Sequence, residues 1–157
     1  MTQAADLERS MRRMDAQRTL FAPLPSRLDL LGMALDAAEG PPRRINVWRN
    51  HAVETLLTLA KPYLDWAGLA LDPWLSGYDD SLSFAEHAPA ALELLWLDAA
   101  RLPADAGWLE GRIAALRQLS RAPILVLASG PVAASGPDVH VADLGAVCSA
   151  AGVPLLD

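Results

Sequence analysis

The sequence predicts an α/β fold: a three-layer sandwich around a mainly parallel sheet of about five strands, preceded by an N-terminal helical extension. Short apolar runs alternate with helix-like segments, which is the order of βαβ units. The runs over 92–97 and 123–128 are almost continuously apolar, as expected for parallel strands buried on both faces. We expect residues 1–42 to form the helical extension and residues 43–157 to form a single α/β domain.

Composition and charge exclude several classes of protein. The chain has 157 residues, of which 52% are hydrophobic and 20% are charged, so it can bury a sizeable core. Its net charge of −6 disfavours a nucleic-acid partner, because phosphate binding needs clustered Lys and Arg. The N-terminus lacks the apolar segment of a signal peptide, and no apolar run is long enough to span a membrane. We therefore expect a cytoplasmic protein with no nucleic-acid or membrane partner.

The sequence also lacks the usual cofactor and metal motifs. Cys148 is the only cysteine, which leaves no internal disulfide and no cysteine-based metal site. His87 and His140 stand at no ligand spacing to each other or to His51. Neither of the standard glycine-rich phosphate-binding motifs occurs. We expect neither a metal nor a cofactor.

The first 42 residues predict two helices. Residues 3–20 are predicted to form a polar helix with a sparse apolar stripe flanked by arginines. The prolines that follow this segment end the helix. Ser26 is suited to cap a second helix, which has Asp29 in its first turn and runs to about residue 38. The two helices are the candidate contact for a homo-oligomer.

The first predicted strand and the turn after it organise the α/β domain. The strand covers 45–48, a polar turn covers 49–51, and residues 52–66 have helical apolar spacing. Pro62 predicts a kink in that helix or a break into two helices. The remaining elements are predicted in the order strand 69–74, loop 76–80, short helix 82–87, strand 92–97, helix beginning within 103–107, strand 123–128, strand 139–141, helix 143–151 and strand 153–156.

Polar residues that follow the predicted strands are the candidates for a functional site. In open α/β sheets, ligands bind beyond the carboxyl ends of the strands, where residues distant in sequence converge. The candidate catalytic residues are Asn50, His51, Asp98 and Asp157, and the candidate ligand-binding residues are Arg49 and Ser129. Asn50 can donate to an oxyanion, His51 can act as a base, and Arg49 can bind an anion at the start of the following helix.

Simpler roles for the same residues stay open. His51 fits a polar helix start, Arg49 fits a surface arginine, and Asp98 fits a cap of the following turn or helix. The first turn also contains no Ser or Cys, so it supplies no nucleophile of its own.

Three stretches resemble the N-terminal region of FkbH-like proteins. They are the strand INVWRN, the helix TLLTLAKPYLDWAGL and the segment WLSGYDDSLSFAEHAPAALELLWLDAARL. The matching positions are Tyr78, Ser81, Phe84, Pro89 and Leu97-Asp98, and the later DVHVADLGAVCSAAGVPLLD is similar to the family's stretch before a last aspartate, here Asp157. The resemblance covers roughly residues 25–157. It implies an SGNH-hydrolase-like fold, close to the flavodoxin-like arrangement.

The resemblance also implies a function. Complete FkbH-like proteins usually continue into a haloacid-dehalogenase-like domain, which loads a glyceryl unit onto an acyl carrier protein. The Asp-x-Asp signature of that domain is absent from this sequence, which stops at Asp157, before the histidine-bearing segment that the SGNH-like half normally has. We therefore expect an accessory, partner-binding or acyl-handling domain in bacterial secondary-metabolite or polysaccharide biosynthesis. Its expected partner is an acyl carrier protein or a biosynthetic enzyme.

Two alternatives belong to other functional classes. One is a small SGNH-type esterase or acyltransferase with a displaced nucleophile such as Ser129 or Ser76. The other is a non-catalytic regulatory or interaction module, receiver-like in its use of Asp98 and the acidic pair Asp79-Asp80. A receiver normally has its acidic pair directly after the first strand and a lysine after the last, and this sequence has neither.

Overall fold

A five-stranded parallel sheet is the central feature of the computed structural model, which describes residues 2–33, 35, 36, 40–105 and 107–150. The strands are β1 Arg43–Arg49, β2 Leu71–Tyr78, β3 Leu92–Leu97, β4 Ile124–Ala128 and β5 Val139–Asp143. The helices are α1 Thr2–Leu20, α2 Arg27–Gly32, α3 Glu54–Trp66, α4 Trp108–Leu119 and α5 Leu144–Ala150. The predicted α/β class is confirmed, and the strand order and helices are consistent with a three-layer arrangement.

The strand order in the sheet is β2-β1-β3-β4-β5. Strands β1, β3, β4 and β5 are paired in parallel, with Val47 opposite Leu94 and Leu95 opposite Val126. From β1 the chain continues to β2 at one edge of the sheet, whereas from β3 it continues to β4 toward the other edge, so the order reverses between β1 and β3. Such a reversal creates a crevice at the carboxyl ends of the two strands, which is where doubly wound sheets bind their ligands.

Several predicted boundaries need correction in the segment after α3. The second strand was predicted over 69–74, but β2 begins at Leu71 and continues through most of the predicted loop to Tyr78. Of the two outcomes predicted at Pro62, the break into two helices does not occur, because α3 runs through Pro62 as one element. Proline inside a helix lacks the N–H of the usual backbone hydrogen bond, and the Pro62 ring is buried.

The predicted helix over 82–87 is wrong. Leu82 and Phe84 adopt left-handed backbone conformations, with φ of 46° and 56°, and both side chains are buried. Left-handed residues interrupt a right-handed helix, and burial of the two side chains outweighs the backbone strain. A short 3-10 turn over Ala99–Arg101 was not predicted, and the predicted strand 153–156 lies outside the described residues.

The chain packs as two compact units, one of residues 1–42 and 53–71 and the other of residues 43–52 and 72–157. In the first unit, the Tyr63 hydroxyl donates to the Leu20 carbonyl oxygen at 3.0 Å, and the Phe21 and Trp66 rings meet edge to face. The Ser26 side chain accepts from the amides of Leu28 and Asp29, so the predicted N-cap of α2 is confirmed. The division predicted at residue 42 stays a prediction.

The second unit has its main core on one face of the sheet. Leu95, Leu97 and Val126 point from β3 and β4 toward Ile113 and Leu116 of α4, and all five are at most 2% exposed. The core also includes Trp48, Leu82, Phe84, Leu109, Ile124 and Ala128. This packing fixes β3 and β4 rigidly, so the loops at their carboxyl ends start from well-defined positions. None of the described helices combines the length and the hydrophobicity needed to cross a membrane.

Candidate functional site

Asn50 closes the crevice between the carboxyl ends of β1 and β3. Its side chain is fully buried, with Oδ1 accepting from the Asp98 amide at 2.7 Å and Nδ2 donating to the Asp98 carbonyl oxygen at 3.2 Å. The Asn50 amide donates in turn to the Trp96 carbonyl oxygen. Both ends of the Asn50 side-chain amide are thus already used to hold the loop after β3. In this conformation the hydrogen bond from Nδ2 holds that loop rather than an oxyanion.

Asp98 and Ser129 meet at this edge, although they are far apart in sequence. Asp98 Oδ1 accepts from the Ala100 amide at 3.0 Å, which caps the 3-10 turn, and from the Ser129 hydroxyl at 3.4 Å. Among the described residues, no hydrogen bond reaches its second oxygen, Oδ2. Gly130 permits the close approach of the two loops, because its φ is +148° and a Cβ there would lie 3.2 Å from the Ala99 Cβ.

His51 follows Asn50 and packs edge to face against Trp96, with 5.0 Å between the ring centroids. Its Nδ1 is buried, and no hydrogen-bond partner for this atom lies within the described part of the chain. Burial lowers the pKa of His51, and the nearby Arg101 guanidinium lowers it further, while the Asp98 carboxylate raises it. The lowered pKa keeps the imidazole neutral near pH 7, so it is able to accept a hydrogen bond.

Arg49 lies between the ends of β1 and β2. Its Nε donates to the Ser76 carbonyl oxygen at 2.9 Å, and its guanidinium stacks 4.6 Å from the centroid of the Tyr78 ring. Ser76 is itself buried, and its hydroxyl donates to the Gly77 carbonyl oxygen. The local contacts thus place Arg49 and Ser76 in the β1–β2 pairing rather than in the crevice between β1 and β3.

Arg101 is a site residue that was not predicted. One of its terminal nitrogens donates to the Asn50 carbonyl oxygen, and the other donates to Asp80 Oδ2 at 3.0 Å. The position of Arg101, three residues after the strand-end Asp98, was a usable signal, because polar residues just beyond a parallel strand belong to the ligand-binding edge.

The two residues of the acidic pair, Asp79 and Asp80, have different environments. Asp79 accepts from the amides and the hydroxyls of Ser81 and Ser83 at 2.5–2.9 Å, whereas Asp80 pairs with Arg101. Partial burial acts to raise the pKa of Asp79, but the four hydrogen bonds outweigh it and hold the pKa far below its usual range. Asp79 therefore shapes the turn after β2 as a permanent carboxylate.

A second polar cluster lies at the amino end of β3 and was also not predicted. Glu93 is fully buried, and its carboxylate accepts from Trp48 Nε1 at 2.8 Å and from Asn46 Nδ2 at 3.1 Å. His87 Nε2 lies 3.0 Å from the other carboxylate oxygen. The only sequence signal was a charged residue inside the apolar run Leu92–Leu97.

The structure thus brings together four of the six predicted site residues: Asn50, His51, Asp98 and Ser129. Asp157 lies outside the described residues. Within the residues that are described, no group of three or more His, Cys, Asp and Glu side chains is arranged to hold a metal ion. Comparison with protein families, with curated proteins and with solved structures finds no match to this chain.

Proposed function

We propose that this chain is an accessory domain that binds a partner or handles an acyl group in a carrier-protein-linked biosynthetic pathway of bacteria. The single observation that carries the proposal is the polar edge at the strand-order reversal, where Asn50, Asp98 and His51 converge. This is the position at which doubly wound sheets receive ligands. The resemblance of the sequence to the N-terminal region of FkbH-like proteins supplies the kind of pathway and the kind of partner.

The hydrogen bonding at the edge favours binding over catalysis. Nucleophilic catalysis needs a hydroxyl or thiol activated by a base. The Ser129 hydroxyl donates to Asp98, and the buried His51 Nδ1 has no hydrogen-bond partner among the described residues. The edge therefore offers a neutral imidazole and a carboxylate with unused hydrogen-bonding capacity. These groups are suited to hold the polar part of a ligand or of a carrier-protein arm.

A small esterase or acyltransferase remains the second candidate because of one contact. Ser129 lies at the same edge as His51, and its hydroxyl is within 3.4 Å of a carboxylate. A serine–histidine–aspartate arrangement would need a loop movement that brings the Ser129 hydroxyl to one His51 nitrogen and a carboxylate to the other. An acyl-enzyme on Ser129 would be the direct evidence for this reaction.

The proposal is tested by binding of purified carrier proteins. Acyl carrier proteins of bacterial biosynthetic pathways are prepared with and without the phosphopantetheine arm, and their affinity for the chain is measured by calorimetry. We expect the form with the arm to bind more tightly, and we expect His51→Ala to weaken that binding at least tenfold, about 1.4 kcal/mol. His140→Ala is the matched control, because His140 is an exposed histidine on β5.

Intact-mass spectrometry after incubation with acyl-loaded carrier protein separates the two candidates. An unmodified chain that still binds the carrier protein supports the binding domain, and an acyl adduct on Ser129 supports the enzyme. Absence of both binding and adduct for every carrier protein of the pathway would rule out the proposed function.

A further inference from the structure

We propose that Arg101 is the ligand-contacting cation of this edge and that it binds an oxyanion, a carboxylate or a phosphate, in place of the Asp80 carboxylate. Neither residue was assigned to a ligand by the sequence. The inference rests on the proposed function, since it names the chemistry of the group that the same edge receives. It is carried by the contacts of the two Arg101 terminal nitrogens.

One side of the Arg101 guanidinium is held by a buried element. Its Nη1 donates to the carbonyl oxygen of Asn50, and the Asn50 side chain is locked by two hydrogen bonds to Asp98. The guanidinium is consequently oriented at the crevice before any ligand arrives. Preorganisation of this kind reduces the entropy lost on binding.

Among the described residues, Asp80 alone holds the other side of the guanidinium, and it is a replaceable partner. The Arg101 and Asp80 side chains are 44% and 52% exposed, and their closest atoms are 3.0 Å apart. Exposed ion pairs contribute about 0–1 kcal/mol, because water competes for both groups. A ligand can therefore displace Asp80 from Arg101 at little cost in free energy, and the freed Asp80 carboxylate is then hydrated.

The contact with Asp80 also indicates which chemistry fits. Arginine presents a planar set of N–H donors that matches carboxylate and phosphate oxygens. The Asp80 carboxylate already occupies the position of such an oxyanion, so a ligand oxyanion replaces one negative charge by another.

The test is an NMR titration of the full chain with sodium phosphate and, separately, with sodium acetate, at ionic strength held constant with chloride. We expect saturable shifts of the amide signals of residues 98–101. Arg101→Gln should weaken binding at least tenfold, and Arg101→Lys should weaken it several-fold, because lysine keeps the charge but loses the planar set of donors. Asp80→Asn should tighten binding several-fold, since it removes the internal competitor.

Two exposed residues provide matched controls. Arg121→Gln and Asp72→Asn remove the same charges elsewhere on the second unit and should leave the affinity unchanged. The inference is overturned if Asp80→Asn fails to tighten binding, or if Arg121→Gln weakens it as much as Arg101→Gln. Stronger binding of phosphate than of acetate identifies a phosphorylated ligand, and the reverse order identifies a carboxylate.

The carrier-protein measurement separates the failure of this inference from failure of the proposed function. If carrier proteins bind through His51 while phosphate and acetate do not bind at Arg101, the inference fails and the proposed function stands. If the small anions bind at Arg101 while no carrier protein binds, the inference stands and the proposed function fails.

Discussion

Strands β1 and β3 are joined by two asparagine–acid pairs, one at each end. At the amino end, the Asn46 side chain donates to the carboxylate of Glu93, which lies directly opposite it in the sheet. At the carboxyl end, the Asn50 side chain exchanges two hydrogen bonds with the main chain of Asp98. An asparagine in or directly after β1 thus meets an acidic residue in or directly after β3 at each end of the strand pair, and the surroundings of the two clusters differ.

The two clusters differ in how completely each carboxylate is hydrogen-bonded. Glu93 is fully buried and receives donors from Asn46 and Trp48, with His87 against its other oxygen. Asp98 is only partly buried, and Oδ2 lacks a hydrogen bond from any described residue. A satisfied buried network stabilises one conformation, whereas unused hydrogen-bonding capacity at a sheet edge is available to a ligand.

The largest effect is expected at Glu93. Glu93→Ala removes the acceptor of the buried Asn46 and Trp48 donors and the partner of the partly buried His87 ring, so we expect it to lower the free energy of unfolding by about 3–5 kcal/mol. Glu93→Gln should cost less than half as much, because the His87 ring can accept from the new amide in its other tautomer. Denaturant unfolding measures both values.

Glu86→Ala is the matched control for this prediction, since Glu86 is an exposed glutamate in the segment just before β3. A loss below about 1 kcal/mol for Glu93→Ala would mean that the buried cluster contributes little beyond what its desolvation costs. The amino end of β3 would then not differ energetically from the carboxyl end, and the contrast between the two clusters would disappear.

A smaller effect is expected at Asn50. Asn50→Ala leaves the Asp98 amide and carbonyl oxygen without their side-chain partner, and we expect a loss of about 2–3 kcal/mol in the free energy of unfolding. The loss should be local, since the loop after β3 is freed while the core face of β3 stays packed. Hydrogen exchange should therefore accelerate strongly at the Asp98 amide and little at the Leu95 amide. Equal acceleration at both amides would contradict a local role.

The sequence was sufficient to predict the buried strands because their burial is continuous. Residues 92–97 form β3 as predicted, since a short, almost continuous apolar run is typical of a parallel strand buried on both faces. The convergence of Asn50 and Asp98 was also predictable, because parallel strands bring their carboxyl ends to one edge.

Interactions between distant residues were not predictable in the same way. The irregular path through Leu82 and Phe84 depends on tertiary burial, which overrides the helical pattern of the local sequence. Glu93 is one charge in an apolar run, and its three partners come from 6, 45 and 47 residues away. Arg101 required knowledge of which carbonyl and which carboxylate lie beside it, and these contacts arise only in the folded chain.

The smallest effect is expected in the titration of His51. Its lowered pKa means that the folded protein binds a proton on His51 less readily than the unfolded chain does. The associated stability is therefore present above the unfolded value of about 6.5 and is lost as the pH falls through the lowered folded pKa. Histidine NMR signals followed from pH 8 to pH 4 should give a His51 midpoint below 6.5.

Arg101→Gln should raise that midpoint and Asp98→Asn should lower it further, because the two charges act on the imidazole in opposite directions. Asp98→Asn keeps the main-chain bonds to Asn50, so a changed midpoint reports the charge itself. If both variants moved the midpoint in the same direction, loop rearrangement would dominate the titration, and His51 would not be coupled to this edge electrostatically.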